Sequence, residues 1–441
     1  MCGRRKENEV SVAEQMREDW NRRAREDAHY YVAFGRHEQD EQEFLATAGD
    51  VLRGLEREMK RGLPGERARA RRALEIGCGP GRLLKPMAEK FGEIHGVDVS
   101  DEMIGLARRR LTEIPHAHAH VGSGADLRQF ADESFDFIYS YAVFQHIPSK
   151  DVVLSYLREA ARVLKPGGLM RFQANNLEAA RTAAATWHGC SLEPEDVRGY
   201  VREKGLRLLA LEAIGTQYMW VTMRKPGGER EGEGEIRIRR ITNSESSEPV
   251  APNRGRYAAG SLWLEGAGEE TDLLRLQLFV GGGEARLTYL GGAEMDGLRQ
   301  LNAVLPEGLE VGLRPVELKL DGKIVATATF RIIPAPPAVP RLVEAVDGMD
   351  YLSGTRIVSG SVKLFVEELF EPETLRASLD GAPARDYSIL CTDPMPPRHE
   401  INFRLPEGAR PGPGRLRIEA GKRLIGEVAV EIAPQEIQEV R

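Results

Sequence analysis

Cysteine is scarce in this sequence and forms none of the usual pairs. The 441 residues contain four cysteines, and C-x-x-C does not occur among them: Cys2, Cys78, Cys190 and Cys391. Such wide spacing excludes a dense disulfide framework and suits a reducing compartment. It also argues against a structural zinc site, so the cysteines predict no bound metal.

Long apolar runs and excess positive charge are missing as well. No segment approaches the eighteen or so apolar residues that a membrane span needs. The first residues, M-C-G-R-R-K-E-N-E, lack the apolar core of a secretory signal. A net charge of -7 gives no general attraction to nucleic acid or anionic membrane. We therefore expect a soluble, cytoplasmic protein that binds neither.

The pattern of apolar residues divides the chain, which is too long for one ordinary core. Residues 1–72 are charged and helical in pattern, with an apolar stripe at four-residue spacing formed by Met16, Trp20, Ala24 and Ala28. Residues 73–226 alternate between strand and helix, which is typical of a parallel sheet covered by helices on both faces. A second helix is expected at about 39–61, and another at 82–91.

The most informative stretch runs from Arg72 to Ser100. A short apolar strand ends at Ile76, and three glycines follow at alternate positions: Gly77, Gly79 and Gly81. Glycines between a strand and a helix let a ligand approach the backbone, and they leave amide groups free at the helix start. The next strand ends in Asp98, about where a βαβ nucleotide fold places the carboxylate that binds ribose hydroxyls.

Charge around the glycines indicates which nucleotide is bound. A dinucleotide fingerprint has its third glycine where this chain has Arg82, and Glu75 would repel a pyrophosphate. Both residues disfavour a nicotinamide oxidoreductase. The Glu75 carboxylate suits a ligand with an ammonium and a sulfonium, and S-adenosylmethionine carries both charges without any phosphate.

An acidic residue followed by G-x-G-x-G resembles the first motif of the class I S-adenosylmethionine-dependent methyltransferases of the type 11 kind. The resemblance implies an α/β fold with a Rossmann-like seven-stranded sheet and an N-terminal helical lid. It implies that the cofactor S-adenosyl-L-methionine contacts Glu75, Gly77, Cys78, Gly79, Gly81, Asp98, Val99, Met103, Ser123, Gly124, Ala125, Asp126 and Tyr141. The family's adenine-binding signal is G-D-A, but Ser123 stands where that aspartate would be. Ser123, the amide of Ala125 and Asp126 are therefore alternative adenine contacts.

Acceptor residues are expected outside the carboxyl end of the fourth strand, where open α/β folds bind ligands. His146, in Y-A-V-F-Q-H-I-P, is the catalytic candidate as a general base, although a histidine here packs without reacting in many relatives. The resemblance adds further substrate candidates, for which ordinary packing is the alternative: His29, Tyr30 and Tyr31 in the lid, then Gln145, Asn175 and Trp187.

The remainder of the chain is a tandem repeat after a linker at 225–234. Leu305-Pro306-Glu307-Gly308 recurs as Leu405-Pro406-Glu407-Gly408, and the other matching segments share this offset of one hundred residues. Short alternating strands and glycine turns favour two all-β immunoglobulin-like sandwiches, resembling modules at the C-termini of bacterial multidomain proteins. We expect them to serve in binding or assembly, with protein or carbohydrate as the partner.

The expected domains are a lid at 1–72, a methyltransferase domain at 73–226, and sandwiches at 235–334 and 340–436. The leading hypothesis is a methyltransferase acting on a small-molecule or glycan acceptor, by O- or N-methylation. The alternative is a non-catalytic S-adenosylmethionine-binding scaffold whose sandwiches carry the interactions.

Overall fold

The computed structural model describes most of the chain. The described residues are 11–33, 37–63, 70–177, 186, 189–227, 234–255, 257–294, 296–335, 339–349, 353–369, 371–393 and 398–434. The chain divides into two compact units. The first comprises Met1–Val32, Glu41–Leu208 and Trp220–Glu229; the second comprises Ala33–Asp40, Leu209–Met219 and Arg230–Arg441. In the part of the chain described here, no helix is long and apolar enough to cross a membrane.

Within the described residues, seven helices precede or accompany the first sheet. They are α1 (Val12–Ala33), α2 (Glu41–Ala46), α3 (Gly49–Gly62), α4 (Leu84–Met87), α5 (Asp101–Arg110), α6 (Lys150–Val163) and α7 (Pro194–Lys204). The strands of this region are β1 (Arg72–Ile76), β2 (Glu93–Asp98), β3 (Ala117–Val121), β4 (Phe135–Ser140), β5 (Leu164–Ala174), β6 (Arg207–Glu212) and β7 (Met219–Arg224).

The sheet of the first unit runs in the order β3-β2-β1-β4-β5-β7. The pairs from β3 through β5 are parallel, so their carboxyl ends meet at one edge. Parallel strands covered on both faces read as nearly continuous apolar runs, and β1 and β4 are buried along almost their whole length. The largest fully buried side chains in this core include Phe135, Phe137 and Tyr139 of β4.

Three helices differ from the sequence prediction. The helix expected at 82–91 is only α4 followed by a 3₁₀ turn at Ala88–Lys90, which ends where Phe91 becomes extended. The helix expected at 39–61 is divided into α2 and α3, and the Thr47 hydroxyl donates to the Phe44 carbonyl at the break. Within α1, Asp27 is extended and its carboxylate accepts from the Tyr30 amide, which restarts the helix.

The second unit contains two copies of one all-β arrangement. The first copy has β8 (Arg237–Thr242), β9 (Val250–Pro252), β10 (Ala259–Glu265), β11 (Leu276–Val280), β12 (Gly283–Ala293), β13 (Arg299–Val304), β14 (Gly312–Leu320) and β15 (Lys323–Ile333). The second has β16 (Arg341–Asp347), β17 (Arg356–Ile357), β18 (Ser361–Glu367), β19 (Leu375–Leu379), β20 (Ala382–Pro383), β21 (Arg385–Asp393), β22 (Arg398–Arg404), β23 (Gly412–Ala420) and β24 (Arg423–Ile432).

Strand pairing follows the same plan in both copies. The pairs β8-β10-β13-β12 correspond to β16-β18-β22-β21, and β11-β14-β15-β9 corresponds to β19-β23-β24-β17. Gly312 pairs with Ile332 and Gly412 with Ile432, so this hairpin keeps its register across the hundred-residue offset. In the second copy, side chains from both sheets form one apolar core around Phe403.

Candidate functional site

The turn after β1 has a backbone conformation and a close contact with a neighbouring side chain that only glycine permits. Gly77, Gly79 and Gly81 have φ values of +74°, +51° and +88°. A β-carbon on Gly77 would lie 2.2 Å from Cγ2 of Val143, well inside contact distance. The turn therefore depends on glycine for its backbone conformation, and at Gly77 also for space.

The amide groups of this turn are already used within the chain. The amides of Gly77 and Cys78 both donate to the Val97 carbonyl, at 2.7 and 3.0 Å, and the amide of Gly81 donates to the Cys78 carbonyl. The amide of Gly79 donates to Asp98. These four amides therefore already have acceptors within the chain, and a ligand that bound them would have to compete with those acceptors.

Asp98 links the turn to the end of β2. Its Oδ2 accepts from the Gly79 amide and its Oδ1 accepts from the Ser100 amide, both at 2.9 Å. Burial raises the pKa of Asp98, and these two amide bonds oppose that shift. Each carboxylate oxygen has a second lone pair, so the side chain can still accept from two hydroxyl groups.

Glu75 is the second carboxyl group at the turn, and it is buried on β1 itself. Its side chain is 3% exposed, and the Tyr139 hydroxyl donates to its Oε2 at 3.0 Å. Burial raises the pKa of Glu75 to about 8, and the Tyr139 bond and the Arg82 charge only partly oppose this shift. A cation bound beside Glu75 would favour its ionised form.

Arg82 is the buried cation next to the turn. Its Nη1 donates to the carbonyl and the hydroxyl of Thr47, at 3.2 and 3.1 Å, and its guanidinium lies 5.6 Å from the Tyr141 ring centre. Its Nε is buried and has no hydrogen-bond partner among the described residues. A buried donor without an acceptor is costly, so an anionic group of a ligand would stabilise this position.

The loop after β3 is organised by Ser123. The Ser123 hydroxyl accepts from the amides of Ala125 and Asp126, at 3.2 and 3.0 Å. Asp126 in turn accepts from the Arg128 amide and pairs with the Arg128 side chain. Both polar side chains therefore shape the turn. Gly124 is buried, and a β-carbon there would lie 2.9 Å from Val99.

The segment after β4 forms a hydrogen-bonded chain of polar side chains. Ala142 has a φ of +55°, and its amide donates to Gln173 at 2.9 Å. Gln173 donates to the Oε1 of Gln145, and the Nε2 of Gln145 lies 3.2 Å from the Nε2 of His146. Since the glutamine nitrogen can only donate, that histidine nitrogen accepts the bond.

Helix α1 lies along the carboxyl edge of β2 and β3. Arg17 donates to the carbonyls of Val99 and Gly122, at 3.2 and 3.1 Å. Asn21 accepts from the Ser100 hydroxyl at 2.6 Å. Trp20 contacts the edge of His146, with ring centroids 5.5 Å apart. The charged composition and the four-residue spacing of apolar side chains predicted the helix. Its polar contacts could not be predicted, because the partners lie far apart in the sequence.

A family model described as a methyltransferase domain matches residues 74–172. "Phosphoethanolamine N-methyltransferase 2" of Caenorhabditis elegans is 37% identical over 97 residues, covering 22% of this chain and 22% of that protein. "Ubiquinone biosynthesis O-methyltransferase" of Agrobacterium fabrum is 34% identical over 99 residues, covering 22% of this chain and 38% of that protein. The chain thus spans well under half the length of these curated relatives. The crystal structure of a magnesium protoporphyrin IX methyltransferase from Synechocystis PCC 6803 is 14% identical with a TM-score of 0.37, covering 50% of this chain and 100% of that one.

The chain therefore carries an S-adenosylmethionine-dependent methyltransferase domain. The polar groups at the glycine turn fit that cofactor. Its methionine end carries an ammonium and a carboxylate, and the turn offers the Glu75 carboxyl group and the partnerless Nε of Arg82. Asp98 retains acceptor capacity for ribose hydroxyls. Sequence reasoning used Arg82 only to reject a dinucleotide and missed it as a donor.

Other predicted cofactor residues of the methyltransferase domain pack around the glycine turn and the neighbouring strand ends. Cys78 is buried, burial raises the pKa of its thiol well above the usual value, and its side chain packs where a β-carbon on Gly96 would lie. Met103 is buried in the first turn of α5, where the Ser100 hydroxyl accepts from its amide. Tyr141 stacks on Trp220 with centroids 5.7 Å apart.

The predicted acceptor residues are only partly brought together. His146 contacts Trp20 and is hydrogen-bonded to Gln145, whereas His29 stacks on Phe44 with centroids 4.0 Å apart. Tyr30 is buried, and Tyr31 donates to Glu26 on its own helix. Asn175 is buried and accepts from the Leu177 amide. Trp187 lies outside the described residues.

Proposed function

We propose that the chain transfers the methyl group of S-adenosylmethionine to a small-molecule acceptor, through oxygen or nitrogen. One observation carries the proposal: two carboxyl groups, the buried Glu75 and the half-buried Asp98, flank a turn whose three glycines have left-handed backbone conformations. Burial raises the pKa of both groups; a cationic nucleoside would favour their ionised forms, whereas a pyrophosphate would favour their protonated forms. The 74–172 match and its N- and O-methyltransferase relatives support the same reaction class.

The cofactor would be held by groups of opposite charge at its two ends. Glu75 would face the ammonium, Arg82 the carboxylate and Asp98 the ribose hydroxyls, while the loop at Ser123 and the buried Met103 would frame the adenine. When bound, the cofactor supplies an electrophilic methyl group on a sulfonium. The chain's own task is then to orient the acceptor and exclude water, which lowers the barrier by several kcal/mol.

The acceptor would lie between α1 and the segment after β4. The rings of Trp20 and His146 meet edge to face there. The hydrogen bonds from Gln173 to Gln145 and from Gln145 to His146 fix the orientation of the imidazole. Because Gln145 occupies the Nε2 lone pair, His146 acts as a base only if that bond opens. An amine acceptor needs no such step, whereas a hydroxyl acceptor on a glycan or a small molecule would gain from it.

The two all-β copies are proposed to be immunoglobulin-like sandwiches used for binding or assembly. Their strand order supports this, since β8-β10-β13-β12 and β11-β14-β15 follow the A-B-E-D and C-F-G arrangement of immunoglobulin constant-type domains. A protein or carbohydrate partner and a cytoplasmic location belong to the same proposal.

The bond from Gln145 to His146 favours one alternative, a non-catalytic scaffold that binds S-adenosylmethionine. Incubation with methyl-labelled cofactor and a fractionated cell extract separates the two. Label appearing in an extract component, and absent with Asp98→Ala, supports the enzyme. Intact cofactor binding without transfer in any fraction supports the scaffold.

A further inference from the structure

Three metal-ligating side chains share one face of the sheet near its outer edge. Glu93 and His95 are two residues apart on β2, so they project to the same face. The parallel register pairs His95 with His118 of β3, the outermost strand. The pairing of β2 with β3 therefore brings together residues from two separate parts of the sequence.

The ligand atoms lie at distances that suit one small cation. Oε1 of Glu93 is 2.9 Å from Nε2 of His95 and 3.9 Å from Nε2 of His118, and one ligand atom from each residue falls within 4.8 Å of the others. Two ligands of a tetrahedral zinc ion lie about 3.4 Å apart when each bond is about 2.1 Å. Small side-chain rotations would bring all three onto one ion.

His120 lies where it can support the tautomer of His95 that metal binding requires. Nδ1 of His95 lies 3.0 Å from Nε2 of His120. When His95 donates through Nδ1, its Nε2 lone pair points toward Glu93 and is available to a cation. A hydrogen bond from the second ring nitrogen is the usual support of a metal-bound histidine.

Arg72 now occupies the acceptors that a metal would use. Its Nε donates to Glu93 at 2.7 Å, and its Nη2 lies 3.2 Å from Nε2 of His95. A cation is thus already stabilised at this position by the charge of Glu93. The guanidinium also lies over the Phe135 ring, 5.3 Å from its centre, and this contact does not depend on Glu93.

We propose that Glu93, His95 and His118 bind a divalent zinc ion, with solvent in the fourth position. Two histidines and a carboxylate form an established zinc ligand set. The side chains of Glu93 and His118 are 37% and 40% exposed, which gives the ion a path from solvent. Glu93 begins β2 and Asp98 ends it, about 16 Å apart along the strand. The ion therefore fastens β3 to β2 and takes no part in methyl transfer.

The prediction of no bound metal was drawn from the cysteines and did not consider this pattern. The alternation His116, His118, His120 in the sequence places histidines on one face of a strand. The ligand from β2 could not be anticipated, because the register of β2 against β3 decides which residue meets His118.

The test uses the full chain without a histidine tag. Zinc is titrated in competition with a chromogenic chelator, and cobalt is titrated while its visible absorption is followed. We expect one zinc per chain and the intense bands of tetrahedral cobalt. His118→Ala and Glu93→Gln should each weaken zinc binding at least about tenfold. His116→Ala is the matched control, because the His116 side chain bonds the Ala88 carbonyl and is not one of the proposed ligands. This variant should bind zinc as tightly as the parent chain.

Circular dichroism and binding of S-adenosylhomocysteine establish that each variant is folded. Loss of zinc binding in folded His118→Ala, with His116→Ala unaffected, supports the site. Zinc binding that is absent at micromolar concentrations in the parent chain, or equal in parent and His118→Ala, overturns it.

Discussion

Trp20 of α1 contacts His146 edge-on, with ring centroids 5.5 Å apart and planes inclined at 73°. The contact joins the N-terminal helix to the 3₁₀ turn at Phe144–His146 that follows β4. The helix and the turn together bound the proposed acceptor position.

Replacing Trp20 by Ala should impair transfer more than cofactor binding. Losing the indole removes one wall of the acceptor position, and misplacement of an acceptor by about 1 Å can cost on the order of 100-fold in rate. We expect kcat/KM for methyl transfer to fall at least about tenfold, while calorimetry with S-adenosylhomocysteine gives a nearly unchanged affinity. Trp20→Phe is the control and should retain most activity. Equal losses of cofactor affinity and transfer would contradict this role.

Asp98→Asn should weaken cofactor binding by about ten- to a hundredfold. An amide group replaces a charged acceptor, and hydrogen bonds to charged groups contribute about 1.5–3 kcal/mol. Calorimetry with S-adenosylmethionine measures the change. Asp101→Asn, three residues further on in an exposed position, is the charge-matched control and should bind normally. Parent-like affinity in Asp98→Asn would refute the ribose assignment.

Glu75 should make the methyltransferase domain less stable as pH rises. Its pKa is near 4.5 in the unfolded chain and about 8 in the folded one. Below pH 4.5 both states hold the proton; between 4.5 and 8 only the folded state does, so this group's contribution falls by about 1.4 kcal/mol per pH unit. Glu75→Gln removes the effect, so its stability relative to the parent should increase with pH.

Thermal unfolding of parent and Glu75→Gln at several pH values measures this difference. The relevant transition is the one that S-adenosylhomocysteine shifts, since a ligand stabilises only the domain that binds it. A difference between the two proteins that stays constant from pH 5 to pH 9 would show that Glu75 does not titrate as proposed.

Gly77→Ala should destabilise the domain by about 2–4 kcal/mol. The left-handed φ costs about 1–2 kcal/mol for a residue with a β-carbon, and the 2.2 Å contact with Val143 adds overpacking. Gly199→Ala, inside α7 with open space around it, should instead stabilise by up to about 1 kcal/mol. Adding Val143→Ala to Gly77→Ala should recover part of the loss; an additive double variant would rule out the steric explanation.

Local conformation was the predictable part of this site. The glycine turn and the end of β2 at an acidic residue each depend on neighbouring residues, and the structure places both close to the predicted positions.

Long-range pairing could not be predicted. The bonds from Arg17 to Val99 and Gly122 join residues 82 and 105 positions apart. The bonds from the Gly77 and Cys78 amides to Val97 could not be foreseen either, because their acceptor belongs to another strand. Likewise, the chain of Gln173, Gln145 and His146 requires the packing of β5 beside β4.

Because Arg17 and Asn21 bond the loops that end β2 and β3, any expression fragment cut at the edges of the 74–172 match would lose groups that cover those loops. Carbonyls and a hydroxyl now satisfied by a helix would face water, and His146 would lose its contact with Trp20. Such a fragment is a poor reagent for ligand screening or crystallisation, and cloning should begin no later than Ser11.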